Sequence, residues 1–332
     1  MTRRRVRRPC RGNGLPDGVV SISLPTPYPI GPVTVFLVDG DPPTLIDTGP
    51  ATAPAWHRLC AKLSEVGLRP EDIGRVLVTH GHHDHFGQAA RLAALGAKVL
   101  AHPDDRYNLG LTRDYPRRWR HLRRAGLGLT RRVAVVLALR LLDRTARPLP
   151  GFEPLADGQE VACSGRTLRV HHTPGHSPGH VAFELVGEGV LFSGDTVLDH
   201  ITPNAIVDID PRDRDRLFLS IAAYRASLRR LAAMQPRLLL PAHGRCLPDV
   251  AGQIAAIERH QDDRAGEVSA LLEDGPATAM ALVDRLFPRV ALVGTFLAYS
   301  EVLGHLLEFE RCGVAARERV DGREFWRIGE AD

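Results

Sequence analysis

Short apolar runs alternate with longer amphipathic segments between residues 19 and 250. The runs are rich in Val, Ile and Leu and end at Gly, Pro or polar clusters, which predicts β-strands. They cover residues 19–24, 33–38, 44–46, 76–78, 98–101, 166–170, 181–186, 190–192 and 238–240. Apolar positions at helical spacing predict helices over residues 53–65, 88–95 and 214–234. Because strands and helices alternate along the chain, we expect an α/β fold.

The hydrophobic pattern becomes helical beyond about residue 252. It predicts helices over residues 253–273, 277–286 and 296–310, followed by two strands over 315–319 and 324–328. The Asp321-Gly322 pair between these strands is typical of a tight hairpin turn. Helices followed by a hairpin indicate a winged-helix-like C-terminal domain. We therefore expect a disordered basic tail over residues 1–18, a catalytic domain over 19–250 and the winged-helix-like domain over 251–332.

Residues 103–150 interrupt the alternation with a dense group of arginines, and we interpret them as a helical insertion. The apolar stretch 133–142 follows the arginines. One hypothesis makes the insertion a lid that binds an anionic substrate or a membrane surface. The other makes it a solvated helical face packed on the main domain. The arginines are Arg106, Arg113, Arg117, Arg118, Arg120, Arg123, Arg124, Arg131 and Arg132.

Composition and charge change this picture little. The 332 residues carry a net charge of +4, much of it within the insertion. The five cysteines are scattered and form no Cys-x-x-Cys pair, so neither a disulfide framework nor a cysteine-based zinc site is expected. The apolar stretch 133–142 is broken by Arg140 and is too short to span a bilayer. We predict no transmembrane segment and a cytoplasmic location.

Candidate chemistry concentrates in the sequence Thr-His-Gly-His-His-Asp-His at residues 79–85, directly after the strand at 76–78. Neutral imidazole binds zinc and iron well, and a carboxylate adds charge for a second ion. In an extended chain His80 and His82 point the same way, and Asp84 and His85 can then turn toward a second position. The cluster therefore predicts half of a two-metal site.

Three further strand ends supply the other half. His176, Asp195 and His243 each follow an apolar strand and lie beside glycine or a turn. Strand ends collect at one edge of a sheet in α/β proteins. Counting three or four ligands per ion predicts two groups that share Asp195 as a bridge. The first group is His80, His82 and His176, and the second is Asp84, His85 and His243.

Two other histidines, His83 and His180, are not predicted to bind metal. His83 lies between ligands, and the alternation of side chains points it away from them, so we expect it to bind neither ion. His180 closes the loop at residues 173–180. We expect it to brace that loop by hydrogen bonds.

These motifs together resemble those of the metallo-β-lactamase superfamily. The matching sequences are Asp-Thr-Gly at 47–49, the cluster at 79–85, and the segments around His176, Asp195 and His243. The resemblance covers roughly residues 19–250. It implies an αββα sandwich with the metal ions along one edge. It also implies that Asp47 steadies the metal site without binding metal.

Differences from other branches of the superfamily narrow the range of expected functions. The two-zinc β-lactamases carry Cys in place of Asp195, and the oxygen-reducing diiron branch carries Glu in place of His82. The interval from Asp195 to His243 is too short for the nuclease insertion of the mRNA-processing branch. The His and Asp pattern is similar to that of the glyoxalase II-like hydrolases. The segment 201–204 and the C-terminal domain look like the lactamase-beta-2-like branch.

The resemblance and the ligand set predict a metallo-hydrolase. Its expected cofactors are two divalent ions, zinc first, with iron or manganese as alternatives. A hydroxide that bridges the ions would attack the carbonyl of an ester or thioester of a small or medium acyl substrate. Asp84, besides binding metal, would accept a hydrogen bond from the hydroxide and orient it.

Two other functions stay open at this stage. The same site could cleave the phosphodiester of single-stranded RNA, with the arginines of the insertion along its backbone. Nucleic acid is the less favoured partner, because residues 296–310 carry three glutamates and little basic charge. A non-enzymatic regulator, with a metal domain that senses a ligand, is the third hypothesis. The pattern makes no prediction of oligomeric state.

Overall fold

A computed structural model of the protein describes residues 14–111, 114–149, 151–163 and 165–329. Most of the predicted disordered tail, as well as Arg113, lies outside these residues. The first sheet has strands in chain order, with the first two pairs antiparallel and the last three pairs parallel. Its strands are β1 (Val19–Leu24), β2 (Val33–Val38), β3 (Thr44–Ile46), β4 (Arg75–Leu77), β5 (Lys98–Ala101) and β6 (Glu153–Pro154).

The second sheet has the order β11-β10-β9-β8-β7. β10 runs parallel to β11 and antiparallel to β9, and β9 runs antiparallel to β8. β8, β10 and β11 therefore end at the same edge. The strands of this sheet are β7 (Glu160–Cys163), β8 (Arg166–His172), β9 (Val181–Leu185), β10 (Val190–Gly194) and β11 (Leu238–Pro241).

Helices surround the two sheets and fill the C-terminal part of the described chain. Those before β6 are α1 (Ala53–Glu65), α2 (His83–Phe86), α3 (Ala89–Ala94), α4 (Arg106–Leu109), α5 (Tyr115–Arg124) and α6 (Leu129–Leu142). Those after β10 are α7 (Ser220–Ala233), α8 (Val250–Glu273), α9 (Ala279–Leu286) and α10 (Leu292–Arg311), and the hairpin β12 (Ala315–Val320) with β13 (Arg323–Ile328) follows.

The side-chain alternation of the strands builds a four-layer sandwich. Phe36 and Val38 of β2 belong to the core between the two sheets, while Val35 and Leu37 belong to the core that includes α1. On the far side, Leu191 of β10 packs with apolar residues of α7 and α8. Both faces of each sheet are thus covered, as expected for strands that read as continuous apolar runs. The predicted αββα fold class is confirmed.

The predicted insertion and the C-terminal helices share one hydrophobic core. Leu122 of α5 and Leu139 of α6 pack in the same cluster as Val283 of α9, Leu306 of α10 and Trp326 of β13. An ion pair of 2.9 Å between Arg131 and Asp284 also joins α6 to α9. The insertion is therefore a packed helical layer. The domain boundaries and the winged-helix comparison stay predictions.

One predicted helix starts too early. The spacing predicts a helix from residue 214, but α7 begins at Ser220. Residues 214–219 lie in a loop that pairs with the chain before it, because the Phe218 amide donates to the Asp208 carbonyl at 2.8 Å and Leu217 bridges Ile209. Those bonds compete with the first helical turn. The short strands β6 and β7 were not predicted, since β6 has two residues and both are exposed.

Candidate metal centre

The candidate site lies where strand ends from both sheets meet. β3 and β4 are parallel, so Asp47 and the cluster at 79–85 emerge at one edge of the first sheet. The Val181 amide donates to the Thr79 carbonyl at 2.8 Å and ties that edge to the second sheet. β8, β10 and β11 end at this edge and deliver His176, Asp195 and His243. The fold therefore brings together every residue that the sequence places in the site.

A change of backbone conformation inside the cluster separates its side chains. His82 is extended, with φ −87° and ψ 150°, and residues 83–86 then form the single helical turn α2. His83 turns away from the other histidines, and its Nε2 lies 3.4 Å from Asp143, beyond the end of α6. The prediction that His83 faces away agrees with this placement, although a helical turn rather than strand alternation causes it.

The first group of predicted ligands is tightly clustered. His82 Nδ1 lies 2.8 Å from His80 Nε2 and 3.0 Å from His176 Nε2. These three nitrogens converge on one point, as tetrahedral coordination of a small cation requires. His82 is the most exposed of the three, and His80 and His176 are buried.

The second group is buried throughout and includes a carboxylate. Asp84 Oδ2 lies 3.3 Å from His243 Nε2, and Asp84 Oδ1 lies 3.7 Å from His85 Nε2. These three residues also present ligand atoms within 4.8 Å of one another. They form a second position that could hold a cation.

Asp195 lies between the two groups. Its Oδ2 is 3.6 Å from His176 Nε2 in the first group. The same oxygen is 3.5 Å from His85 Nε2 and 3.8 Å from His243 Nε2 in the second. This is the placement that a bridging carboxylate needs. The role of Asp195 as a bridge remains a prediction.

Asp47 holds His85 directly through its carboxylate and His80 indirectly through Thr79. Its Oδ2 lies 2.8 Å from His85 Nδ1, and its Oδ1 accepts the Thr79 amide at 2.8 Å. The Thr79 hydroxyl donates to the same carboxylate and lies 3.1 Å from His80 Nδ1. Asp47 adopts a positive φ of 62°, a conformation that short polar side chains tolerate better than most. Bonds of this kind fix the ring orientation of metal-binding histidines.

Backbone carbonyls orient two other imidazoles in the same way. His176 Nδ1 lies 2.8 Å from the Asn204 carbonyl oxygen, and His243 Nδ1 lies 2.9 Å from the Pro32 carbonyl oxygen. Each carbonyl oxygen can accept a hydrogen bond only from a protonated Nδ1. In the neutral imidazole Nε2 then carries the free lone pair, which faces the centre.

His180 braces Asp195 through the backbone. Its Nε2 lies 3.1 Å from the Asp195 amide, and its Nδ1 lies 2.8 Å from the Thr173 hydroxyl. Gly194 makes this approach possible, because a Cβ there would come within 2.7 Å of His180 Nε2 and the residue has φ 51°. The predicted bracing by hydrogen bonds fits these contacts.

Asp105 is the residue that the sequence analysis missed. It is buried, and its carboxylate accepts the Gly81 amide at 2.6 Å, the Gly179 amide at 2.9 Å and the Ser177 hydroxyl at 2.8 Å. It thus links the loop of His80 and His82 to the loop of His176. Burial raises the pKa of Asp105 to about 6, against these three donors. The available signal was its position just after β5, the parallel strand next to β4.

The donor set fits metal ions, and buried atoms without partners are the main evidence. His85 Nε2, His243 Nε2 and Asp195 Oδ1 are buried and have no hydrogen-bond partner among the described residues. Buried polar atoms are rarely left unsatisfied, and a bound ion is a common partner for such atoms. All three atoms point into the centre, where a divalent cation would satisfy them.

The charges of the cluster agree with that fit. Burial and the neighbouring histidines hold the pKa of His80 and of His82 well below the ordinary value, so both are neutral. Although burial opposes its charge, His243 and His85 keep the pKa of Asp195 well below its usual range. Positive charge at the centre is therefore needed to stabilise the buried carboxylates. A divalent ion would supply it and leave all the imidazoles neutral.

A separate trio lies behind the His176 loop. His102, Asp104 and His172 also bring ligand-type atoms within 4.8 Å of one another. However, the rings of His102 and His172 stack in parallel, with centroids 3.9 Å apart and an interplanar angle of 11°. The lone pairs of stacked rings lie in two parallel planes and therefore do not converge on one ion. We assign no metal to this trio.

Comparisons with known proteins agree with the geometry. The family model described as the metallo-beta-lactamase superfamily matches residues 28–243. The probable metallo-hydrolase YqjP of Bacillus subtilis is 29% identical over 303 residues, which is 87% of this chain and 91% of YqjP. The atrochrysone carboxyl ACP thioesterase AgnL7 of Paecilomyces divaricatus is 38% identical over 107 residues, 32% of this chain and 30% of AgnL7.

Solved structures extend the similarity to nearly the whole chain. The metallo-beta-lactamase family protein TTHA1429 of Thermus thermophilus superposes with a TM-score of 0.82 at 30% identity, over 94% of this chain and 98% of that one. A beta-lactamase domain protein of Burkholderia ambifaria gives a TM-score of 0.78 at 26% identity, over 95% and 94%. Both similarities therefore include the helical layer and the C-terminal helices.

Proposed function

The chain belongs to the metallo-beta-lactamase superfamily and is a metallo-hydrolase, and we propose that it uses two metal ions to hydrolyse an ester or thioester. The observation that carries the proposal is the placement of Asp195 between two complete ligand groups, with its Oδ2 within 3.8 Å of a histidine nitrogen in each. His80, His82 and His176 would hold one ion. Asp84, His85 and His243 would hold the other, with zinc expected first.

Bound ions at these positions would polarise a carbonyl oxygen and acidify a water. The protein's own contribution is to hold the reacting groups in place. Asp84 is mostly buried, but a small part of it remains exposed to solvent. Its carboxylate would accept a hydrogen bond from the attacking water and fix the direction of that water. Asp47 and His180 would keep the ligands aligned while the substrate binds.

The leaving group favours a thioester over an amide. The five histidines of the two groups are all assigned to ions, so none of them is free to protonate a departing nitrogen. A thiol ionises with a pKa of about 8.5, so a thiolate departs without a strong proton donor. The name of AgnL7, an ACP thioesterase, supports the same substrate class for one relative.

RNA cleavage, the alternative from the sequence, gains no support from the arginines of the insertion. Arg118 lies 3.2 Å from Asp208, and Arg117 lies 3.0 Å from Asp215. A phosphate backbone would have to displace these carboxylates. We therefore keep RNA only as an outcome of the test below.

The test compares two adjacent histidines. Purified protein should contain about two divalent ions per chain and hydrolyse activated thioesters or esters in a panel that also includes lactones and single-stranded RNA. His82→Ala should lose metal and more than about 100-fold in activity, since residues that merely contact metal ligands already contribute 10- to 100-fold. His83→Ala is the matched control and should retain both. Cleavage of RNA alone, or unchanged activity in His82→Ala, would overturn the proposal.

A further inference from the structure

The helix α6 exposes a stripe of large aliphatic side chains. Leu129, Val133, Leu137 and Leu141 are 60%, 43%, 59% and 59% exposed. They recur every four residues and so lie along one face, about 18 Å long at 1.5 Å per residue. Nine large hydrophobic side chains are exposed in the described part of the chain, and these four lie on one helix of 14 residues.

The stripe lies opposite the face by which α6 packs against the rest of the protein. Val135 and Leu139 are buried in the core that α6 shares with α9 and α10. That core already anchors the helix, and about half of the surface of the stripe's side chains is left for another contact. A contiguous apolar surface of this kind on a folded protein marks an interaction site.

Basic side chains are frequent on α6, which carries the stripe, and on α5, which packs against it. From residue 115 to residue 142, which covers α5 and α6, the sequence has eight arginines and no acidic residue, although four of these arginines pair with carboxylates of other segments. Arg140 and Arg144 are exposed next to the leucines, and neither forms an ion pair with a residue that the structure describes, although the Arg140 guanidinium lies 4.9 Å from the centroid of the Tyr115 ring. Arg120 and Arg123 are exposed on α5. The surface therefore combines aliphatic contact with the positive charge of these four exposed arginines.

We propose that the exposed face of α6, with its flanking arginines, docks on an anionic lipid surface. A helix that lies in the plane of a membrane interface inserts an aliphatic face while its basic side chains reach the headgroups. A second copy of the chain fits less well, because pairing two such faces would bring arginines together. Of the described helices none is long and apolar enough to cross a membrane, so the proposed contact is with the surface of the bilayer.

The docked surface would lie beside the candidate metal centre. α6 continues into a 3₁₀ turn over Asp143–Thr145, and both Asp143 and Thr145 lie 3.4 Å from His83. His83 is the neighbour of His82 and Asp84 in the ligand cluster. The docking proposal itself does not depend on the reaction that the centre catalyses.

Sedimentation with vesicles tests this proposal on the full chain. The protein should bind vesicles of phosphatidylcholine mixed with phosphatidylglycerol, bind pure phosphatidylcholine weakly, and dissociate as salt rises. The double variant Leu137→Gln with Leu141→Gln should bind about tenfold more weakly or worse, because two aliphatic side chains no longer leave water. Arg140→Gln with Arg144→Gln should weaken binding to the anionic vesicles alone.

Two controls keep the outcome clear. Leu219→Gln, at another exposed leucine outside α6, should bind the vesicles as the unchanged protein does. Circular dichroism would establish that each variant is folded. Absence of binding to anionic vesicles, or equal binding by the leucine double variant, would overturn the proposal. A dimer that dissociates in that double variant, without vesicle binding, would overturn it in favour of a second copy.

Discussion

Asp105 illustrates how one buried side chain can control a site that it does not enter. Its two oxygens accept hydrogen bonds from Gly81, Ser177 and Gly179, which lie in the two loops that carry the first ligand group and are far apart in sequence. Replacing the carboxylate leaves donors without partners in a buried place, which is costly. The geometry of the first ligand group thus depends on a residue outside that group.

We predict that Asp105→Asn weakens metal binding without abolishing the fold. The amide offers one accepting oxygen instead of two and turns an NH₂ group toward backbone donors, so the two loops should separate. Metal affinity should fall about 10- to 100-fold, the usual effect of changing a residue that supports metal ligands. Competition with a zinc chelator measures it. Asp104→Asn, at the less buried neighbour, should bind metal normally, and equal affinity in both variants would contradict the prediction.

At the scale of elements, the apolar runs predict the strands well because burial on both faces requires continuous Val, Ile and Leu. β2, β3 and β5 have the predicted bounds. The ligand positions could be predicted because each follows such a run. The start of α7 could not, since long-range hydrogen bonds to residues 208 and 209 hold the segment before it. The role of Asp105 could not be predicted for a similar reason, because its hydrogen-bond partners lie 24 to 74 residues away in the sequence.

The terminal hairpin is an element whose stability we expect to rest on one side chain. Trp326 of β13 is 1% exposed, and its backbone pairs with Ala277 just before α9, through bonds of 2.8 and 2.9 Å. Trp326→Ala should lower the free energy of unfolding by about 3–5 kcal/mol, because it leaves a large cavity in the shared core. Urea denaturation followed by circular dichroism measures it. Val320→Ala, at an exposed position of β12, should change it by less than about 0.5 kcal/mol.

At the scale of the whole molecule, the helical layer connects parts that the sequence presents separately. α5 and α6 pack with α9, α10 and the hairpin in one core, and α6 ends beside the His83 turn of the candidate metal centre. Loss of packing in the C-terminal helices should therefore reach the centre through α6. Conditions that weaken this core should therefore also affect the candidate metal centre.

Mild acid is one such condition, because α5 and α10 carry one partly buried and one buried histidine that resist protonation. Burial, together with Arg225 and Arg264, lowers the pKa of His305 on α10 from 6.5 to about 4. Burial also lowers the pKa of His121 on α5 to about 4. In the unfolded chain these imidazoles regain ordinary values. Between pH 6.5 and pH 4 the unfolded state therefore binds protons that the folded state does not, and stability falls as the pH falls.

We predict that His305 alone accounts for about 2 kcal/mol of the stability lost between pH 7 and pH 5. His305→Gln, which is neutral at both values, should remove that share, whatever its effect on stability at pH 7. The measurement is the free energy of unfolding from urea denaturation at each pH, at one fixed metal loading. His57→Gln, on the exposed face of α1, should keep the full loss. An equal loss in His305→Gln and in the unchanged protein would mean that burial of His305 does not couple folding to pH.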